Sequence, residues 1–551
     1  MSKNLLWTGE VSTTEFEPNL LCDVLVIGGG PAGTWAAWSA ASKGANVVLV
    51  DKGYCGTSGC AAASGNGVWY VPPDAQARET AMASRESLGG FLANRNWMQR
   101  VLNQTYANVN LLAQWGYPFP TDDEGKPYRR SLQGPEYMQL MRKQIKRAGV
   151  KILDHSPALQ LLVDRDRRVA GATGVNRQTE NKWLVRAGAV IIATGGCAFL
   201  SKALGCNVLT GDGYLMAAEA GAEMSGMEFS NAYGISPAFS SVTKTLFYNW
   251  ATFTYEDGTP IPGAGSQKGR SVIAKTLLTQ PVYAILDQAT EEMRTHMRKA
   301  QPNFFLPFDR AGIDPFTQRF PVTLRLEGTV RGTGGIRIVD DTCATSVPGL
   351  YAAGDAATRE LICGGFTGGG SHNAAWALSS GYWAGQSAAV YARDLGTQAN
   401  QRGVEAVGEA GFTSSHQHSP KTVSVAGQNT IEIIQAIQAE VFPYDRNYFR
   451  TETGLTESLQ RLNHLWQEIR TIQADDNNIL RVREAAAMVA TSRWMYNSAL
   501  ERKETRGMHK HTDYPEQDIN QQHYLISGGL DRVWVKTAPV QQTRVKVEVA
   551  A

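Results

Sequence analysis

The chain has 551 residues, of which 53 are basic and 51 acidic, giving a net charge of +2. So even a balance supplies no field to draw nucleic acid or an anionic membrane surface, and 43% hydrophobic against 19% charged residues excludes a disordered chain. Seven cysteines, an odd number with no CxxC pair, exclude a disulfide scaffold and zinc or iron–sulfur ligation, and read as reduced thiols.

Taken in chain order, the first segment, MSKNLLWTGEVSTTEFEP, has no apolar leader core, so a cytoplasmic protein is expected. DVLVI (23–27) is a short β-branched run and reads as a buried parallel strand. A helical pattern follows, with Gly44 as its stop, and then a second buried strand, NVVLV (46–50), that ends at Asp51. Together they form one βαβ unit. AVIIA (189–193) and GLYAA (349–353) read as two further buried strands, with helical patterns over 213–222 and 374–393. The run 375–392 is uncharged but holds Ser, Gln and Gly, so it reads as a packed helix and not a membrane span. Segments this far apart imply an α/β sheet domain assembled from both halves of the chain, 1–235 and 341–398. The intervening 236–340 mixes aromatics, turns and short helices and reads as an inserted α+β domain. The stretch 395–422 reads as a linker. Ile431, Ile434, Ile437 and Leu459, Leu462, Leu465 recur at helical spacing and predict a helical domain over 425–515. The alternating tail, 516–551, predicts edge strands.

Gly28-Gly29-Gly30-Pro31-Ala32-Gly33 fits GxGxxG in the context that gives that pattern a mechanism: after a strand and at the start of a helix. Gly28 permits the tight turn, Gly30 lets a pyrophosphate approach the backbone, and Gly33 lets helix and strand pack. The helix N-terminus faces the phosphates, and Asp51 accepts from ribose hydroxyls. Ala193-Thr194-Gly195-Gly196 and Gly354-Asp355 each follow a later strand. The three motifs in this order point to FAD rather than to a nicotinamide cofactor alone.

On these residues the sequence resembles the flavoprotein subunits of fumarate reductase and succinate dehydrogenase, L-aspartate oxidase, and the α subunit of adenylylsulfate reductase. Further matching stretches are TSGCAAASGNG (57–67), TGDGYLMAAEAGAEMSGMEF (210–229), GRSVIAK (269–275), TGGIRI (333–338) and ALERKETRGMHKHTDYP (499–515). The resemblance implies a Rossmann-like FAD domain of two-dinucleotide-binding type, an inserted capping domain and a C-terminal helical domain. It also implies hydride exchange between flavin N5 and a substrate carbon, coupled to proton transfer. Expected cofactor contacts are Gly28, Gly30, Pro31, Ala32, Gly33, Asp51 and Lys52 in the first segment and Ser58, Gly59, Cys60, Ser64 and Gly65 in the loop after it. Ala158, Ala193, Thr194, Gly195, Asp212, Gly354, Asp355, Ser371, Asn373 and Ala374 complete the set.

Several positions depart from the family. The histidine that often tethers FAD is replaced by Gly59 or Ser58, so FAD is expected to be held without a covalent link. The arginine that binds one carboxylate of a dicarboxylate is replaced by Phe366. A His-Pro-Thr stretch is replaced by Asn231-Ala232-Tyr233-Gly234, and the histidine before the TGGI turn by Val330-Arg331. Fumarate, succinate and aspartate are therefore poor guesses.

Arg270 is retained; in the family it shuttles the substrate proton, and it also suits an anion clamp. Arg331 and Arg359 are candidates for the missing anion contact, and His372 and Tyr233 for proton transfer. Trp250 and Tyr248 are candidates for stacking on a substrate ring. The resulting expectation is an FAD-dependent oxidoreductase acting on a C–C bond next to a carboxylate or carbonyl of a small anionic substrate, a cyclic one included. The alternative is a subunit like that of adenylylsulfate reductase, working with an iron–sulfur or ferredoxin partner. A flavin binder without turnover is a third reading. An electron-acceptor protein and an oligomeric assembly stay open; nucleic acid and a membrane span are not expected.

Overall fold

The computed structural model describes residues 16–121, 124–243, 245–266, 269–366, 371–396, 401–412, 426–475 and 477–540. At its centre β1 (Asn19–Ile27) runs parallel to β2 (Val47–Val50) on one side and to β8 (Lys182–Ile192) on the other. β5 (Lys151–Leu153) extends the sheet parallel to β2, and β15 (Leu350–Ala352) lies parallel to the end of β8. The registers Ile27↔Val50, Ile27↔Ile192 and Ala352↔Ile192 bring the C-terminal ends of four strands level. Gly28, Asp51, Ala193 and Ala353 therefore emerge along one edge, where parallel α/β sheets bind their ligands.

The other edge is antiparallel. β7 (Val169–Val175) pairs with the first half of β8, β6 (Ala158–Asp164) with β7, and β16 (Val404–Val407) with β6. The reading of 395–422 as a linker is thus corrected: part of it closes the sheet edge, with Val404 and Val407 buried. Residues 397–400 and 413–422 of that reading lie outside the described residues.

The uncharged run near 375–392 forms the helix His372–Leu395, which packs along the helix Pro31–Ala41. A Cβ on Gly381 would lie 2.3 Å from the Ala32 carbonyl oxygen, and one on Gly385 2.2 Å from that of Ala36. Small residues here let two helices touch backbone to backbone on the sheet face.

The capping sheet contains β10 (Ala232–Pro237), β13 (Phe320–Gly328), β12 (Val282–Ile285) and β11 (Thr252–Thr254), in that order and antiparallel. Its core is aromatic: Phe247, Phe304, Phe305, Phe308 and Phe320 are buried together. A third sheet joins β9 (Met224–Ser225), β14 (Gly335–Ile336), β17 (His523–Gly528) and β18 (Trp534–Pro539), so the described part of the tail is anchored on strands of the preceding chain. A short ribbon pairs β3 (Gly65–Gly67) with β4 (Ser131–Gln133).

Helices Ala426–Val441, Glu452–Ile469 and Ile479–Glu501 make the helical domain. Ile434, Ile437, Leu459, Leu462 and Leu465 are buried as their spacing predicts, but Ile431 is half exposed, and Ile433 and Val441 complete the inward stripe instead. No described helix is long and apolar enough to cross a membrane.

Candidate functional site

A cleft of about 950 Å³ runs along the level strand ends and between the sheet domain and the cap. That volume is at the upper end of the roughly 300–1,000 Å³ typical of small-molecule sites, so it has room for a dinucleotide with a small substrate beside it.

Gly28 has φ +109°, and a Cβ there would lie 2.3 Å from the Ala193 carbonyl oxygen. At Gly33 a Cβ would lie 1.8 Å from the Gly28 oxygen, so Gly33 locks helix to turn and is not itself on the cleft wall. Gly30 is different: nothing lies within 4 Å of where its Cβ would be, and no side chain caps the helix that it precedes. The first amides of Pro31–Ala41 thus meet open space, which is an anion seat. Pro31 and Ala32 line it.

The Asp51 carboxylate accepts from the Gly29 amide at 2.6 Å, the Gly53 amide at 2.8 Å and the Ser58 hydroxyl at 2.7 Å. It braces the 51–60 loop while lining the cleft with Ser58, Gly59, Cys60 and Gly65. Lys52 donates to Asp212 and Glu484, both at 2.7 Å, and to Thr210 at 2.9 Å. Burial opposes the Lys52 charge, but the two carboxylates outweigh it and raise its pKa. Ala158, Ala193, Thr194, Gly195, Gly354 and Ala374 complete this wall. Asn373 donates to the Val330 carbonyl at 2.8 Å, while its buried Oδ1 has no donor among the described residues. An open phosphate seat and an orphaned buried amide oxygen are features that FAD would satisfy.

Two further expected contacts are displaced from the wall. Ser64 is buried behind the loop, its hydroxyl unpartnered among the described residues. Ser371 precedes the helix His372–Leu395, and its carbonyl accepts from the Trp69 amide at 3.1 Å.

On the cap side, Arg270 opens the helix Arg270–Thr276 and lines the cleft. Among the described residues its guanidinium donates only to carbonyls, Tyr233 O at 3.1 Å and Ser266 O at 3.0 Å, and its buried Nε has no partner. Burial, together with the charge of Arg331, pushes its pKa down to about 10. Arg331 also lines the cleft and pairs at 2.9 Å with the buried Glu327.

Other expected residues are corrected by the structure. Arg359 is fully buried behind the wall, where it pairs with Asp355 and donates to the carbonyls of Thr329, Val330 and Gly332. It holds the cleft-lining Asp355 and does not itself face the cleft. Tyr233 reaches the cleft, but its hydroxyl donates away from it, within reach of the Val441 and Phe442 carbonyls at 2.9 and 3.1 Å. His372 is buried off the wall with its ring 4.5 Å from that of Trp69; neither ring nitrogen has a partner among the described residues, and burial holds its pKa well below the ordinary value. Tyr248 and Trp250 belong to the cap core rather than to the cleft.

Sequence reasoning missed Tyr448, Lys510 and Arg85, which also line the cleft. The Lys510 ammonium makes no hydrogen bond or ion pair among the described residues, and burial lowers its pKa. Lys510 lies inside the matching stretch 499–515, a signal that was available; nothing in the local sequence marks Tyr448 or Arg85.

The profile of the FAD binding domain matches residues 23–232, and that of the fumarate reductase flavoprotein C-terminal region matches residues 440–551. The chain is an FAD-dependent oxidoreductase that resembles the fumarate reductase and L-aspartate oxidase family. It is 26% identical to a fumarate reductase flavoprotein subunit of Mycobacterium tuberculosis, over 91% of this chain and 93% of the relative. It is also 26% identical to an L-aspartate oxidase of Streptomyces coelicolor, over 93% and 92%. In fold it matches E. coli quinol fumarate reductase with a TM-score of 0.78 at 20% identity, over 96% and 98% of the two chains. Adenylylsulfate reductase from Archaeoglobus fulgidus matches with a TM-score of 0.75 at 19% identity, over 96% and 97%. FAD is the cofactor of this family's chemistry, and the cleft carries the features that it requires.

Proposed function

We propose that this flavoprotein oxidises or reduces a C–C bond next to a carboxylate or carbonyl of a small anionic substrate, with FAD held without a covalent bond. The observation that carries the reading is Arg270. A guanidinium is costly to bury without an acceptor of its charge, yet Arg270 faces the cleft bonded to two carbonyls and beside a second cation, Arg331, to which the nearby Glu327 carboxylate is paired. An anionic substrate supplies what the protein withholds, by charge-assisted hydrogen bonds.

Bound FAD supplies a two-electron hydride carrier. The chain's own residues do the rest. Gly30 and the first amides of Pro31–Ala41 seat the pyrophosphate. The cap excludes water, which strengthens every charge interaction in the cleft. Arg270 orients the anion and, with its pKa near 10, is closer than an ordinary arginine to the range in which a proton can be passed. Tyr448 stands beside it with its own pKa raised by burial.

Non-covalent attachment is supported by the loop at 51–60, where no histidine lines the cleft. The naming of relatives as subunits supports an electron-acceptor protein as partner; co-purification of a cysteine-rich chain with iron tests it. A cytoplasmic location is compatible with the helices described.

The reading is tested by screening small carboxylates and cyclic ketones anaerobically for loss of flavin absorbance, and then repeating the active ones with Arg270→Ala. The variant should retain FAD and lose at least about a hundredfold in rate, the scale of one lost transition-state contact. An unchanged rate refutes the role.

A further inference from the structure

We propose that Lys510 is a covalent carbonyl-binding residue of the cleft: its ε-amine condenses with the ketone or aldehyde carbon of a ligand, forming an imine and releasing water. The proposal deepens the reading above by choosing the carbonyl class of substrate, and rests on it only for the place of the substrate beside Arg270.

Among the described residues two lysines line the cleft, Lys52 and Lys510, and their surroundings are opposite. Lys52 is held as a cation by Asp212 and Glu484, which raise its pKa against burial. Lys510 has no hydrogen bond or ion pair among the described residues, and burial alone acts on it, lowering its pKa. The acids that line the cleft are engaged elsewhere: Asp51 with the 51–58 loop, Asp212 with Lys52 and Asp355 with Arg359. A partly buried ammonium without a counter-charge is disfavoured against the neutral amine, and the neutral amine is the nucleophile. Arg270 and Arg331 already bring fixed positive charge to this wall. A lysine adds what an arginine does not, the ability to shed its proton and bond to carbon.

The backbone beneath the amine is fixed. Arg506 and His509 exchange backbone hydrogen bonds, both 3.0 Å, and the Met508 amide donates to the Gly365 carbonyl at 2.7 Å. Gly507 has φ +55°, and a Cβ there would lie 2.0 Å from the Gly365 oxygen. On the other side the Arg450 amide donates to the Lys510 carbonyl at 3.0 Å, and the Thr512 amide to the Arg450 carbonyl at 2.7 Å. The loop also meets the segment that holds Arg270. The Asn231 side-chain amide donates to the Met508 carbonyl at 3.4 Å, and Arg270 donates to the Tyr233 carbonyl at 3.1 Å. The short run 231–233 thus joins the Lys510 loop to Arg270 on the cleft wall.

Condensation costs the carbonyl its oxygen, which leaves as water with the two amine hydrogens; no oxidant or reductant is consumed. The protonated imine draws electrons from the neighbouring carbon more strongly than the carbonyl does. It thereby acidifies the C–H bond that oxidation of the adjacent C–C bond must break.

The experiment incubates the FAD-loaded enzyme with cyclohexanone or with levulinate, a keto acid, and reduces with sodium cyanoborohydride, which converts an imine to a stable secondary amine. Peptide mass mapping then locates the adduct. Adduct should concentrate on Lys510. Lys510→Arg keeps the charge but cannot form the imine; it should lose that adduct while FAD content and unfolding temperature stay as in the parent. Adduct spread evenly over exposed lysines, no adduct from either ketone, or an unchanged yield from Lys510→Arg would overturn the assignment. The map of the parent enzyme decides the question by itself if the variant does not fold. Arg270→Gln separates the two claims: it should lower the yield from levulinate and spare that from cyclohexanone. If both yields hold, the anion reading of Arg270 fails while the Lys510 imine stands.

Discussion

The two glycines Gly30 and Gly33 give a sharp test of how the cleft is built, because alanine should cost FAD binding at both but stability only at Gly33. At Gly30 the backbone is extended (φ −74°, ψ −171°) and nothing lies within 4 Å of an added Cβ. Stability should therefore change by no more than about 0.5 kcal/mol. The added methyl occupies the approach of the pyrophosphate to the helix amides. Losing one charge-assisted hydrogen bond, about 1.5–3 kcal/mol, weakens FAD binding by roughly tenfold to 150-fold. At Gly33 the Cβ would be 1.8 Å from a backbone oxygen, so the helix must move off the turn. The cost is about 1–3 kcal/mol of overpacking or more, and FAD is lost as well. The assay pairs urea unfolding of the deflavinated protein with an FAD titration followed by flavin fluorescence. A Gly30→Ala protein that binds FAD as tightly as the parent refutes the assignment of that space to the pyrophosphate.

Three other outcomes are expected. His372→Phe fills the same buried slot against Trp69 without two unpaired nitrogens, so turnover should stay within a few-fold and thermal stability should hold or rise; a hundredfold loss of rate would return His372 to the chemistry. Asp355→Ala leaves the fully buried Arg359 without its carboxylate, which should cost about 3 kcal/mol or more in urea unfolding. Glu360 is held near pKa 8 by burial and by the neighbouring Glu228 carboxylate. The folded chain thus keeps a proton that the unfolded chain releases, and this group makes stability fall by up to about 1.4 kcal/mol per pH unit as pH rises from near 4.5 to about 8. Glu360→Gln should flatten that part of the stability profile, and an unaltered profile would show that Glu360 is ionised in the fold.

The parts of the fold legible in the sequence are those whose burial is continuous. The runs at 23–27, 46–50, 189–193 and 349–353 sit on β1, β2, β8 and β15 because strands covered on both faces must be apolar throughout. β16 carries no strand signal in the sequence, because a four-residue edge strand with only Val404 and Val407 turned inward leaves too short a pattern. In the site, glycine spacing carried geometry well, since Gly28 and Gly33 are fixed by contacts within one turn. Charged and aromatic side chains were harder. Arg359, Tyr233 and His372 occur in or beside matching motifs, but which way each points is set by distant partners: the 329–332 carbonyls, the 441–442 carbonyls and Trp69. Arg85 was invisible for the same reason, since its place on the cleft depends on Gly89 meeting Gly365.

The most direct test of the whole account is the flavin content of the purified chain. The account predicts yellow protein that binds one FAD per chain and releases it to the supernatant on acid precipitation. Colourless protein that takes up no FAD on titration would contradict the cleft's assignment, and flavin that stays with the precipitate would contradict attachment without a covalent bond.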